Sequence, residues 1–375
     1  MPLVDASQRP NPLQSSLPPH FWDKIDEHFR TERLQEQSRV STFGEIRPII
    51  HIPDYKGWRL VAVRNRLYYS KKWNFFTDFL FEYGMSRFGK EWLEAQKAAA
   101  IADQHPVYIW RKRAYAFMQH QKPQPDGTFA AVPSGPMAAC NNLYYDLYTV
   151  DDNSLLDDHL LDRLRHRDQF QGAMHELFAE ASCLRAGFTI IRENEKDPGR
   201  KHVEFTAVHK ATGQHVLVEA KSRHRAGVMG RTGARDASPD LKFRHLIHDA
   251  VAKDPNNPLA IFVDTNLPPD RASRFYSPRS RNPIIPSLAM ASLMDKIRAD
   301  YGGVDPYNIL VFSNHPQHYP EDDQIAPGNH WAGFISQKAR IPVYHQKALV
   351  DLFTAVNLYG NVPTHFPPNR NRQQT

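Results

Sequence analysis

The feature that most limits the fold is a change of apolar period that begins at Phe170. Phe170, Met174, Leu177, Phe178, Ala181 and Leu184 recur at helical spacing and are expected on one helix face. Gly187 follows where a helix-terminating glycine belongs. Then "FTIIREN", "VEFTAVHK" and "HVLVEAKS" read as three strands, the last two joined by "ATGQ". After a loop rich in Gly and Arg, "SPDLKFRHLIHDAVAK" reads as a helix opened by Ser-Pro, and "LAIFVDTNLPP" as a buried strand. "PSLAMASLMDKIRADYGG", "YNILVFSNHP" and "QKALVDLFTAVNLYG" continue as helix, strand and helix. Such an order predicts an α/β domain, over residues 168–360, with a mixed central sheet flanked by helices.

The stretch before it, residues 21–167, has a different character and is expected to be a mainly helical N-terminal domain. It opens extended, around "RPIIHIP" and "WRLVAVRNRLYYS", and then carries aromatic and apolar residues at helical spacing. "QKPQPDGTFAAVPSGP" breaks it as a loop. Residues 1–20 and 361–375 are rich in Pro, Gln, Asn and Ser and are expected to be disordered tails. Two cysteines, Cys140 and Cys183, make no disulfide framework, and no run approaches the ~18 apolar residues of a membrane span. The chain is therefore expected in the cytoplasm. Its net charge of +6 leans modestly towards an anionic partner.

The third strand of the α/β half carries the chemistry. Side chains alternate between faces, so Leu217, Glu219 and Lys221 share one face and Val216, Val218 and Ala220 the other. In the second strand His202, Glu204 and Thr206 share a face. With "ATGQ" as a four-residue hairpin loop, Lys210 faces His215, Glu204 faces Lys221 and Thr206 faces Glu219. Glu204 and Glu219 are then diagonal neighbours about 7–8 Å apart, able to share one ion. Mg²⁺ takes oxygen ligands and is commonly held by one or two carboxylates. It also stabilises charge on a phosphodiester under attack by water. Lys221 is read as the group that positions that water.

The order of elements, with Glu204 and "EAK" at 219–221, resembles the PD-(D/E)XK nuclease superfamily over roughly residues 170–266. The resemblance implies a restriction-endonuclease-like core, αβββαβ, and an Mg²⁺- or Mn²⁺-dependent nuclease acting on nucleic acid, with DNA favoured over RNA. It also implies a setting in bacterial defence, restriction or DNA processing. Carried over, the metal ligands are Glu204, Glu219 and the Ala220 carbonyl, the lysine is Lys221, and the helix acid is Glu176 or Glu180. Glu176 stands eleven residues before "GF", whereas the helical wheel favours Glu180. The family's "PD" is here "VEF", with a longer acid and no proline, and some of its members have lost catalysis. A catalytically inactive nucleic-acid-binding or protein scaffold is thus the alternative.

Other motifs carry less. "SRHRAGVMGRTGAR" offers Arg223, Arg225, Arg231 and Arg235 among glycines, suited to gripping a nucleic-acid backbone. His202 is a candidate supporting or proton-transfer group. "GMSRFGKE" at 84–91 nearly spells a phosphate-binding loop, but Glu91 stands where Ser or Thr should hold Mg²⁺. "DLK" at 240–242 matches the "EAK" pattern and reads as the start of a helix. In "RNRLYYSKKWNFF" aromatics alternate with Arg64, Arg66, Lys71 and Lys72, either as a stacking surface or as core with a charged rim. A third possibility is a homo-oligomer or larger complex joined through this aromatic half, for which an exposed apolar patch would be the sign.

Overall fold

The computed structural model describes residues 19–125, 128, 131–192, 203–227, 229, 233, 243–254, 256–266, 287–318 and 330–368. The first half runs α1 (Pro19–Phe43), β1 (Ile50–Tyr55), β2 (Trp58–Val63), β3 (Arg66–Ser70), α2 (Phe76–Phe88), α3 (Lys90–Ala98), α4 (Pro106–Gln119), α5 (Gly135–Asn153) and α6 (Asp158–Arg165). The second runs α7 (Phe170–Arg185), β4 (Phe188–Arg192), β5 (Phe205–His209), β6 (His215–Ser222), α8 (Arg244–Val251) and β7 (Leu259–Asp264). It ends with α9 (Ser287–Asp300), β8 (Ile309–Asn314), β9 (His330–Ile335) and α10 (Gln346–Asn357). The extended opening of the first half forms an antiparallel sheet, β1-β2-β3.

A mixed six-stranded sheet in the order β4-β5-β6-β7-β8-β9 organises the second half. β4, β5 and β6 are antiparallel, β6, β7 and β8 parallel, and β9 antiparallel again. Alternation along the strands builds two cores. Val216, Val218, Ala260, Phe262, Ile309 and Val311 pack with residues of α7 and α10. Leu217, Ile261, Val263, Leu310 and Phe312 pack with residues of α8 and α9. Helices therefore cover both faces, as the all-apolar β7 and β8 require. The edge strand β9, "HWAGFI", is the one strand here that the apolar pattern does not announce.

Helix α7 is buried on nearly every side, and this alters one expectation. Phe170, Met174, Leu177, Ala181 and Leu184 join the core of the first half, but Phe178 points the other way, with Ala179 and Cys183, into the sheet. Neighbouring residues on a helix stand about 100° apart, so Phe178 faces a second core beside the one that takes Leu177. The buried Glu176, Glu180 and Arg185 of the same helix are held in ion pairs. α7 ends as expected: Gly187, at φ +82°, donates its N–H to the Leu184 carbonyl.

The C-terminal stretch also differs from expectation. Residues 361–368 fold back on the first half: the Thr364 carbonyl accepts from the Phe76 N–H at 2.8 Å, and Phe366 packs 5.6 Å from the Phe76 ring. Residues 1–18 and 369–375 lie outside the described residues. Among the described residues no helix is long and apolar enough to cross a membrane.

Candidate active site

The β5–β6 hairpin closes two positions away from the register expected of it. Phe205 pairs with Val218, Thr206 with Leu217 and Val208 with His215. The loop is "KATG": His209 N–H donates to the Gln214 carbonyl at 2.9 Å, and Gly213, at φ +70°, returns its own N–H to the His209 carbonyl. His215 pairs with Val208 and not with Lys210, whose N–H goes to the Gly187 carbonyl, 3.0 Å away. A two-residue shift keeps every side chain on its face. Its effect is to set Glu204 beside Glu219 rather than beside Lys221, and Thr206 beside Leu217.

Glu219 is fully buried, in the middle of the sheet, with Ile261 as its partner on β7. Its Oε1 lies 2.5 Å from the Lys221 ammonium and 2.7 Å from that of Lys253. Its Oε2 has no hydrogen-bond partner among the described residues. Glu204, just ahead of β5, donates its N–H to the Val218 carbonyl and lies 3.7 Å from Lys253. Burial pushes the Glu219 carboxyl up, the Glu204 charge pushes it further, and Lys221 and Lys253 draw it back. Lys253 feels the reverse: burial lowers it, but Glu219, Glu204 and Glu176 leave the ammonium above its ordinary value.

The two helix acids have different surroundings. Glu180 is buried and bound bidentately by Arg192, Nε to Oε1 at 3.0 Å and Nη2 to Oε2 at 2.6 Å. Glu176 pairs with Arg163 and lies within the field of Glu204. Burial first, then Glu204, push its carboxyl up to about 8. Glu176, Glu204, Glu219 and Lys221 thus lie near one another. Ala220, between the last two, turns its methyl into the opposite core. Lys253 is a fifth member that the sequence hid: a lysine just past the end of α8 reads as an ordinary helix-end cation.

The other candidates are spread out. Arg223 donates its N–H to the Asp264 carbonyl at 3.1 Å, which anchors the start of the Gly/Arg loop to the end of β7. Arg225 is buried and turned inward, near enough to Asp264 to oppose the burial that lifts this acid to about 7. His202, Arg231, Arg235 and "DLK" at 240–242 lie outside the described residues. The P-loop-like stretch is the junction of α2 and α3, with no strand leading into it.

Among the described residues no group of three or more His, Cys, Asp or Glu side chains forms a metal-holding set. What is present is a carboxylate pair, Glu204 and Glu219, with a buried, unpartnered oxygen on the latter. That fits Mg²⁺ or Mn²⁺, which needs only one or two carboxylates and completes its shell with water and substrate oxygens. No family model and no curated protein matches this chain.

Proposed function

We propose that the chain is a metal-dependent nuclease that hydrolyses phosphodiester bonds, DNA being the favoured substrate, with Glu176, Glu204, Glu219 and Lys221 in the catalytic site. The observation that carries this reading is the meeting of buried Glu176 and Glu219 with the partly buried Glu204, Lys221 and Lys253 where the sheet changes from antiparallel to parallel. Glu204 and Glu219, with the Ala220 carbonyl, would hold Mg²⁺ or Mn²⁺. A bound cation supplies charge stabilisation at the phosphoryl oxygens and a more acidic water. Lys221, tethered to Glu219, orients that water. Lys253 neutralises the carboxylate pair, and Glu176, protonated near neutrality, serves as a hydrogen-bond donor or proton carrier at its edge. The PD-(D/E)XK resemblance is consistent with the helix, three strands, helix and strand that surround these residues, and defence or DNA processing in the cytoplasm suits the reading.

The test is a cleavage assay on mixed DNA and RNA substrates in Mg²⁺ or Mn²⁺, comparing the wild type with Glu219→Ala and Lys221→Ala. Wild-type cleavage should fall at least a hundredfold in each variant, in line with the usual contribution of a positioned catalytic group. Equal activity in all three would rule out this site. A second reading, an inactive scaffold of the same fold, draws on the internal pairing of Glu219 with two lysines, which leaves the cluster neutralised without any cation. Nucleic-acid binding with no cleavage by the wild type would select it.

A further inference from the structure

The β1-β2-β3 sheet turns one face inward and leaves the other open. Val61 and Val63 are in the core and Tyr68 packs against it. Alternation sends Ile50, Ile52, Trp58, Leu67 and Tyr69 outward, and all five are exposed, Tyr69 by 64% and Leu67 by 59%. The pairing lines them up across the strands, Ile50 with Ala62 and Leu67, Ile52 with Leu60 and Tyr69. Trp58 and Tyr69 meet edge to face at 5.4 Å, and the Lys71 ammonium sits 4.9 Å from the Trp58 ring. A contiguous open patch of this kind on a folded chain marks an interaction surface.

Charge decides what it fits. Residues 50–73 carry Lys56, Arg59, Arg64, Arg66, Lys71 and Lys72 against a single acid, Asp54. That acid accepts from the Gly57 N–H in the β1–β2 turn, at 2.8 Å. Arg59 and Arg64 are engaged with the Trp73 and Ser154 carbonyls. Lys56, Arg66, Lys71 and Lys72 are exposed, and none forms an ion pair among the described residues. Flat rings flanked by unpaired cations match a polyanion that carries flat rings of its own. A duplex hides its base faces in the stack, whereas a single strand offers them.

We propose that this face binds single-stranded nucleic acid, with bases stacked on Trp58 and Tyr69 and phosphates held by Lys71, which alternation puts on the same face as Leu67 and Tyr69, and by Lys56 in the β1–β2 turn at its edge. The surface is separate from the carboxylate–lysine site and does not depend on cleavage there. An apolar protein partner would cover Ile50, Ile52 and Leu67 but would leave the Lys56 and Lys71 cations beside it unpaired.

Fluorescence anisotropy of the full chain, in chelator to prevent cleavage, with a labelled oligothymidylate and a duplex of equal length, tests this. The expected result is tighter binding of the single strand, weakened at least tenfold in Trp58→Ala/Tyr69→Ala. Weakening by Lys56→Glu/Lys71→Glu is also expected, and serves if the first variant fails to fold by circular dichroism. Wild-type affinity in both variants, or equal affinity for strand and duplex, would overturn the proposal. So would no binding of either oligonucleotide, including the case where light scattering shows the face joining two copies of the chain. Because chelator is present throughout, these results leave the cleavage assay on Glu219→Ala independent.

Discussion

Lys253 holds the position between Glu204 and Glu219 that a divalent cation would compete for, 2.7 Å from one acid and 3.7 Å from the other. Removing one partner of a buried pair leaves an uncompensated charge and costs about 3–5 kcal/mol. Lys221 remains beside Glu219, so Lys253→Met is expected towards the low end of that range. Its melting temperature should fall in chelator and recover in millimolar Mn²⁺, read by calorimetry; a melting temperature indifferent to Mn²⁺ would show that the pair holds no cation. Glu176 gives a pH signature. Its ordinary value of 4.5 is raised to about 8 in the fold, chiefly by burial. Between those values the folded chain keeps a proton that the unfolded chain has lost, so this group's contribution weakens as pH rises through the window and is level above it. Glu176→Gln should therefore gain stability relative to wild type between pH 5 and pH 8 in urea titrations. A constant difference across that range would contradict the raised value.

At the scale of elements, α7 joins the two halves, and its apolar contact with α5 includes an ion pair away from solvent. Arg185 reaches Asp146 at 2.7 Å and lies 4.9 Å from the Tyr145 ring. Asp146→Ala would leave that guanidinium buried without its counter-charge, a loss of about 3–5 kcal/mol. Chemical denaturation checks it, and a loss under about 1 kcal/mol would mean that α7 does not depend on the pair. Gly84 of α2 makes a different contact: a methyl group there would overlap the Tyr144 ring on α5. Gly84→Ala should cost about 1–3 kcal/mol through overpacking, despite alanine's better helix propensity. α7 also shows how far periodicity reaches. Its existence and its end at Gly187 are legible in "FQGAMHELFAEASCLRAGF". The direction taken by Phe178 is not, because an apolar residue beside an apolar face carries no mark of a second core.

Across the whole molecule, the last described residues hold the first half together. Phe366 packs against Phe76 and His51, and the Arg59 guanidinium sits 4.4 Å above its ring. Phe366→Ala should cost about 1–3 kcal/mol, less than the ~3–5 kcal/mol of a fully buried phenylalanine, because this ring is only partly covered. An unchanged melting temperature would show the segment to be dispensable. The sequence by itself determined the α/β order, the mixed sheet covered by helices, and the common face of Glu219 and Lys221, because period and alternation are local and survive any packing. Only the tertiary structure decided that Glu204 stands beside Glu219, that Lys253 comes between them, and that Glu176 lies with the pair while Arg192 holds Glu180. It also decided that Tyr69 turns outward where Tyr68 turns in. Each of these depends on which distant parts of the chain meet in the fold, as α8 brings Lys253 to β6, and on which helix end or strand face remains uncovered. Spacing along a chain does not record either.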